Sequence, residues 1–182
     1  MPSRRTVLKL AGVGCLAAFA GRAFAYPDVR LNGGAGTLHP AADRYLSERL
    51  LPEGESLGAT LVAGTDEDRV GPDASDGVRR ALSDPGWFQN DDATTYRLVV
   101  QYRSTPARPR GLALRDVEWE GAWTLAFEAA LSEWSPLEDI DGEEGERLRS
   151  ADELVYTSVW AVSAPVGALP KPSIDVAARP EE

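Results

Sequence analysis

The chain has 182 residues, with 19 Lys and Arg against 29 Asp and Glu, one histidine and one cysteine. A net charge of −10 disfavours nucleic acid and anionic lipid as partners, because neutralising phosphate needs clustered cations. One His and one Cys are too few for a zinc site, and no disulfide can close within the chain.

Residues 1–25 read as a signal peptide. Ser3-Arg4-Arg5-Thr6-Val7-Leu8-Lys9 is a charged start, and Leu10 to Ala20 is an apolar run broken by Gly12 and Gly14. Ala23-Phe24-Ala25 then puts small residues at the two positions a signal peptidase reads. The run falls short of the roughly 20 apolar residues that cross a bilayer, so no transmembrane span is expected after processing. The opening resembles the twin-arginine export motif, with Val7 where phenylalanine is usual. That resemblance implies a protein that folds before export and acts at the cell surface or in the medium. Arg4 and Arg5 would be the recognised pair, and Ala23 and Ala25 the cleavage-site residues. Gly12-Val13-Gly14-Cys15 offers an alternative, a lipid on Cys15, but it leaves only Lys9 to Gly14 ahead of the cut. Cleavage after Ala25 is preferred, and it removes the only cysteine.

The leader holds four basic residues (Arg4, Arg5, Lys9, Arg22) and no acid, so the remaining 157 residues carry 15 cations against 29 anions, a net −14. Lys9 and Lys171 are the only lysines, and the carboxylates are spread over every loop. This pattern resembles proteins of salt-loving archaea. The physical consequence is self-repulsion in dilute buffer, which molar salt removes by shortening the Debye length to about 3 Å.

Tyr26 to Leu38 contains Asn32-Gly33-Gly34-Ala35-Gly36 and reads as a flexible linker, 26–38. Without a following Gly-Lys-Ser/Thr it is no phosphate loop. A single mainly-β domain is expected over 39–164, and a Pro-rich tail over 165–182. Pro40 to Leu51 has Ala42, Tyr45, Leu46 and Leu50 at helical spacing behind a proline suited to a first turn, so a short helix is expected. Ser56 to Gly64 alternates as a strand. Asp76 caps a short helix, Gly77 to Ser83, stopped by Pro85-Gly86, and Trp87-Phe88 returns the chain to the core.

The strongest alternation is Tyr96, Leu98, Val100 and Tyr102 against Arg97, Val99, Gln101 and Arg103, a strand with one buried and one mostly wet face. Leu112 and Leu114 have one parity and Val117 and Trp119 the other, which a bulge near Arg115-Asp116 reconciles. Glu120-Gly121 marks a tight turn into the alternating run Trp123, Leu125, Phe127, Ala129 and Leu131, completing a hairpin. A short helix is expected around Glu143 to Arg149 within a long acidic connection. Leu154 to Val162 is apolar on both faces and reads as central; Ile174 and Val176 suit a short edge strand. The fold class is therefore mainly β, an antiparallel sheet or sandwich of about five strands, with one or two short helices in the N-terminal half. Thr94 to Val162, with its strand, Pro loop ending at Gly111, second strand and turn, resembles a secreted β-domain family related to the C-terminal domain of a protease-complex-stabilising protein. Arg108-Pro109-Arg110-Gly111 stands where that family has Thr-Gly-Gly-Tyr, and no binding residue is carried over.

No catalytic, cofactor or metal set emerges. Gly54-Glu55-Ser56-Leu57-Gly58 matches G-x-S-x-G, but a helix and Pro52 precede it where a strand is needed, and His39, the only histidine, lies on the wrong side of the serine. His39 before Pro40 is expected as a capping or surface group. Asp139, Asp141, Glu143, Glu144 and Glu146 offer calcium oxygens, yet Glu144 replaces the EF-hand glycine and Ser150 its final glutamate, so a solvated loop is expected; Asp66-Glu67-Asp68 is read likewise. Trp119, Trp123, Trp134 and Trp160 could form a sugar-binding row, but most have core parity, and Trp134 is the best candidate for an exposed ring. The expected role is non-enzymatic binding or assembly with a protein or glycan partner. A small carboxylate-dependent hydrolase or carbohydrate-binding protein is the alternative. The charge balance makes one direct prediction: the melting temperature should climb by several degrees from dilute buffer to molar salt, and a flat response would contradict it.

Overall fold

The computed structural model describes residues 28–87, 94–120, 124–133, 137–164 and 171–177. In chain order the elements are β1 (Arg30–Pro40), β2 (Leu57–Ala63), α1 (Asp76–Ser83), β3 (Thr94–Ser104), β4 (Arg110–Trp119), β5 (Thr124–Glu133), α2 (Gly142–Ser150), β6 (Leu154–Ala164) and β7 (Lys171–Ala177). The chain is mainly β, as its alternating patterns predict. The described residues form seven strands rather than about five, in a sheet ordered β1-β6-β3-β2 and a second ordered β4-β5-β7.

The centre of the larger sheet follows from apolar patterning. β6 is buried on both faces and pairs antiparallel with β3 over its whole length, from Thr94↔Ala164 to Ser104↔Leu154. On the inner side Tyr96, Leu98 and Val100 of β3 and Leu154, Tyr156 and Val162 of β6 meet Leu112, Leu114 and Val117 of β4 and Leu125, Phe127 and Ala129 of β5. The β4–β5 hairpin carries its register shift between Leu114 and Asp116, where the parity switch required it. Glu120 N–H bonds Thr124 O across the hairpin end, 2.9 Å; Trp123 lies outside the described residues.

The outer face of β3 is not wet. Arg97, Val99 and Gln101 are all buried there. α1 lays Val78, Ala81 and Leu82 against Val99 and Val159, forming a second core cluster that Trp87 also touches; Phe88 lies outside the described residues. α1 starts one residue earlier than expected, with Ser75 Oγ accepting from Val78 N–H, so the cap is Ser75 and not Asp76.

Two expectations are corrected. The stretch expected as a linker over 26–38 supplies β1, paired with β6 from Arg30↔Ser163 to Pro40↔Leu154. Its glycines are used for closeness: a Cβ on Gly34 would sit 2.5 Å from the Trp160 ring. The helix expected over Pro40–Leu51 does not form, because its backbone groups bond elsewhere: Ala41 N–H to Glu153 O, Ser47 N–H to Arg69 O and Leu50 N–H to the Gln101 side chain. The segment 41–51 is instead a strap across the outer face, with Leu46 and Leu51 buried. The short edge strand expected at Ile174 and Val176 is β7, Lys171–Ala177, parallel to β5 at Phe127↔Ile174 on the edge of the smaller sheet, with Ile174 buried. The short helix expected around Glu143–Arg149 is α2, so only α1 falls in the N-terminal half.

The strap sets a sharp steric condition on β2. A Cβ on Gly58 would lie 2.0 Å from Leu50 O, a backbone atom that cannot rotate aside. Gly58→Ala is therefore expected to destabilise the fold by about 1–3 kcal/mol, read as a lowered denaturation midpoint, although strand propensity alone favours alanine.

Candidate functional site

The polar groups that the fold gathers lie under the strap. His39 is on the outer parity of β1, beside Thr157 of β6, which itself faces Gln101 of β3 in register. Its exposure is 2%, so it is no surface cap. The imidazole stacks on Tyr45 of the strap, centroids 3.7 Å apart and planes within 2°. Nδ1 lies 2.9 Å from Pro40 O, and Nε2 lies 2.9 Å from Thr157 Oγ1. A carbonyl can only accept, so Nδ1 carries the proton and Nε2 accepts from the Thr157 hydroxyl. Thr157 Oγ1 in turn accepts from Gln101 Nε2 at 3.1 Å, and Gln101 Oε1 accepts the Leu50 N–H at 2.9 Å. The direction of every bond follows from the first. Burial pushes His39 below the ordinary histidine range, opposed by the Pro40 carbonyl and by Asp43. The ring is a neutral strut that ties β1, β6, β3 and the strap together.

Arg97, one strand over, is equally buried at 2%. Its guanidinium donates to Ala81 O, Gly64 O and Asp84 O. Two of these carbonyls close the C-terminal end of α1, where the helix dipole favours a cation. Burial lowers its pKa and the Asp84 carboxylate opposes this. Arg97 anchors the helix.

An accessible feature lies where β4 begins, beside the end of β5. A cleft of about 440 Å³ is lined by Pro106, Ala107, Arg108, Pro109, Arg110, Glu133, Leu137 and Glu138. Thr105 O accepts Arg108 N–H at 3.0 Å, closing the turn, and the two prolines stiffen it. Arg110 lies 3.7 Å from Glu133 across the β4–β5 pair, and that carboxylate is 80% exposed. Two cations and two carboxylates around Leu137 suit a ligand carrying charged groups of either sign.

The other candidates disperse. Ser56 of G-x-S-x-G is exposed just ahead of β2, and the buried His39 is on β1, at the opposite edge of the same sheet. Asp139, Asp141, Glu143, Glu144 and Glu146 are all exposed around the start of α2, and among the described residues no three metal-ligating side chains converge. Asp66 instead pairs with Arg69 at 3.0 Å. Trp119 and Trp160 are half-buried against the inner core. Arg4, Arg5, Cys15, Ala23, Ala25 and Trp134 lie outside the described residues. Thr157, Gln101 and Arg97 were not singled out from the sequence; a polar residue in a strand otherwise apolar on both sides was the available signal for Thr157. No family model, curated protein or solved structure matches the chain.

His39 gives this region a pH signature. Its folded pKa lies below the unfolded value of 6.5, so the unfolded chain binds the extra proton between the two. The associated stability is complete above about pH 6.5 and is lost as pH falls from there towards the folded value. Chemical denaturation should show that slope, and His39→Gln should flatten it while costing about 1–3 kcal/mol at neutral pH.

Proposed function

We propose that this chain is an exported, acidic β-sandwich whose role is binding or assembly at the cell surface or in the medium. The observation that carries the reading is the fate of the only histidine. Both ring nitrogens of His39 are engaged inside the fold, and the ring is closed off by Tyr45, so the most versatile acid–base group of the chain serves architecture. Arg108, Arg110, Glu133 and Glu138 line a cleft with a stiff proline rim, a place for a partner's side chains. Export is supported by the order of features in residues 1–25, the paired Arg4 and Arg5, the apolar run and Ala23-Phe24-Ala25.

The test is the N-terminus of the native protein and its location. Mass spectrometry of the exported form should read Tyr26 as the first residue, and Arg4→Lys with Arg5→Lys should hold the full-length precursor inside the cell. Cys15→Ala should change neither result. An unprocessed chain in the cytosol of the parent strain would refute the export reading.

A further inference from the structure

We propose that Gln101 reads the protonation state of His39 and passes it to the strap, so that a second proton on the imidazole releases the Leu50 amide and lifts the 48–52 end of the strap from the sheet. The inference concerns the fold itself and is independent of export. It rests on counting donors along the buried chain. With a neutral ring, Thr157 Oγ1 donates to His39 Nε2 and accepts from Gln101 Nε2, while Gln101 Oε1 accepts from the Leu50 N–H. A second proton makes Nε2 a donor, so its bond to Thr157 Oγ1 reverses. The Thr157 hydroxyl proton then needs another acceptor. Among the described residues, Thr157 Oγ1 is bonded to His39 Nε2 and Gln101 Nε2 alone, and both are now donors. Turning the Gln101 amide over restores an acceptor, because Oε1 then faces the hydroxyl. The same turn points Nε2 at the Leu50 N–H, donor against donor.

Exposure decides which group gives way. Thr157 is 0% exposed and Gln101 4%, whereas Leu50 is half-buried between the exposed Arg49 and the exposed Pro52. A buried hydroxyl without a partner costs more than an amide that can turn to water. The ring does not leave instead. It lies flat against Tyr45 at 3.7 Å, and a cation over that aromatic face is attracted to it. Burial and the neighbouring Asp43 push the Tyr45 hydroxyl up, so it stays neutral in acid. The charged groups facing the ring are Asp43 and Arg49 of the strap and Asp73 of the loop before α1. Arg147 of α2 pairs with Asp43, and the Arg44 N–H donates to Asp73. Glu144 of α2 faces Tyr45, and Arg103 of β3 lies 3.2 Å from Glu153. The other half of the strap does not depend on the chain of bonds. Ser47 N–H bonds Arg69 O and Gly71 N–H bonds Tyr45 O, both at 2.9 Å. The opening is therefore hinged there, and it uncovers the Gly58 stretch of β2 over which Leu50 O lies.

The experiment uses the full chain in molar salt. The NMR signals of the His39 ring give its titration, which burial places below the ordinary histidine range. Residue-level hydrogen exchange, corrected for the intrinsic effect of pH, gives the protection of each amide over the same range. As the ring takes up its second proton, the Leu50 amide should lose protection by roughly tenfold or more. Ser47, Gly71 and the β3–β6 amides should keep theirs. In Thr157→Val the relaying hydroxyl is gone, so the ring still titrates while Leu50 stays protected. If that variant does not fold, the two midpoints in the parent protein decide alone. Leu50 protection that is flat through the ring's titration, or that falls at a separate midpoint, overturns the proposal. A loss shared by Leu50, Ser47 and the β3–β6 amides overturns it too, because it marks general acid unfolding. So does an equal loss at Leu50 in Thr157→Val, which would assign the opening to the carboxylates around the ring.

Discussion

The structure depends on the pairing of β3 with β6. These strands are about 60 residues apart in sequence, yet they run antiparallel from Thr94↔Ala164 to Ser104↔Leu154. A contact of that separation requires the loop between them to close first, an entropic cost that rises only slowly with loop length. What offsets it is burial on two sides at once. Leu98 and Val100 turn inward to the other sheet, Val99 and Val159 turn outward to α1, and all four are fully buried. Each remaining layer of the fold covers one of those two faces: the β4–β5–β7 sheet on the inside, α1 and the strap on the outside.

A sheet buried on both faces leaves little room for polar side chains, and those present must satisfy one another. The outer face solves this without an acid. His39, Thr157, Gln101 and the Leu50 amide form one directed chain, in which each donor finds an acceptor. Arg97 is balanced by three carbonyl oxygens, two of them at the end of α1. An unpaired buried polar group costs roughly 1–3 kcal/mol, so removing any member of the chain exposes its neighbour to that cost. The strap and α1 are thus fastened to the sheet by polar groups at points where apolar packing alone would permit sliding.

Much of this was legible in the sequence where periodicity was strong. The inner parity of β3, the bulge ahead of Asp116, the two-sided burial of β6 and the short helix at Asp76–Ser83 all follow from residue patterns. The failures have a shared cause, which is that partners distant in sequence overrode local preference. Asn32 to Gly36 has the composition of a linker, and only the rings of Tyr156 and Trp160 explain why glycines belong in that strand. Ala42, Tyr45, Leu46 and Leu50 have helical spacing, but the hydrogen bonds that a helix would use are taken by Glu153, Arg69 and Gln101. Arg97 and Gln101 suggested a wet face, because nothing local reveals that α1 will cover it. The site followed the same rule: His39 was visible as the one histidine, but its partners are contributed by strands 62 and 118 positions away.

Ionic strength separates the contacts that hold the strap. Its ion pair to α2, Asp43 with Arg147 at 2.7 Å, has an arginine more than half exposed, and such pairs contribute about 0–1 kcal/mol even before screening. In molar salt the Debye length is close to 3 Å, and little of that remains. The His39–Thr157–Gln101 chain carries no formal charge and excludes water, so added ions leave it nearly unchanged. A chain with this many carboxylates therefore gains by fastening the strap through neutral groups. Salt can relieve the repulsion outside without weakening what fastens the strap inside. The same reasoning accounts for Arg97: a helix end neutralises it by dipole, where a buried carboxylate would have added a second desolvated charge.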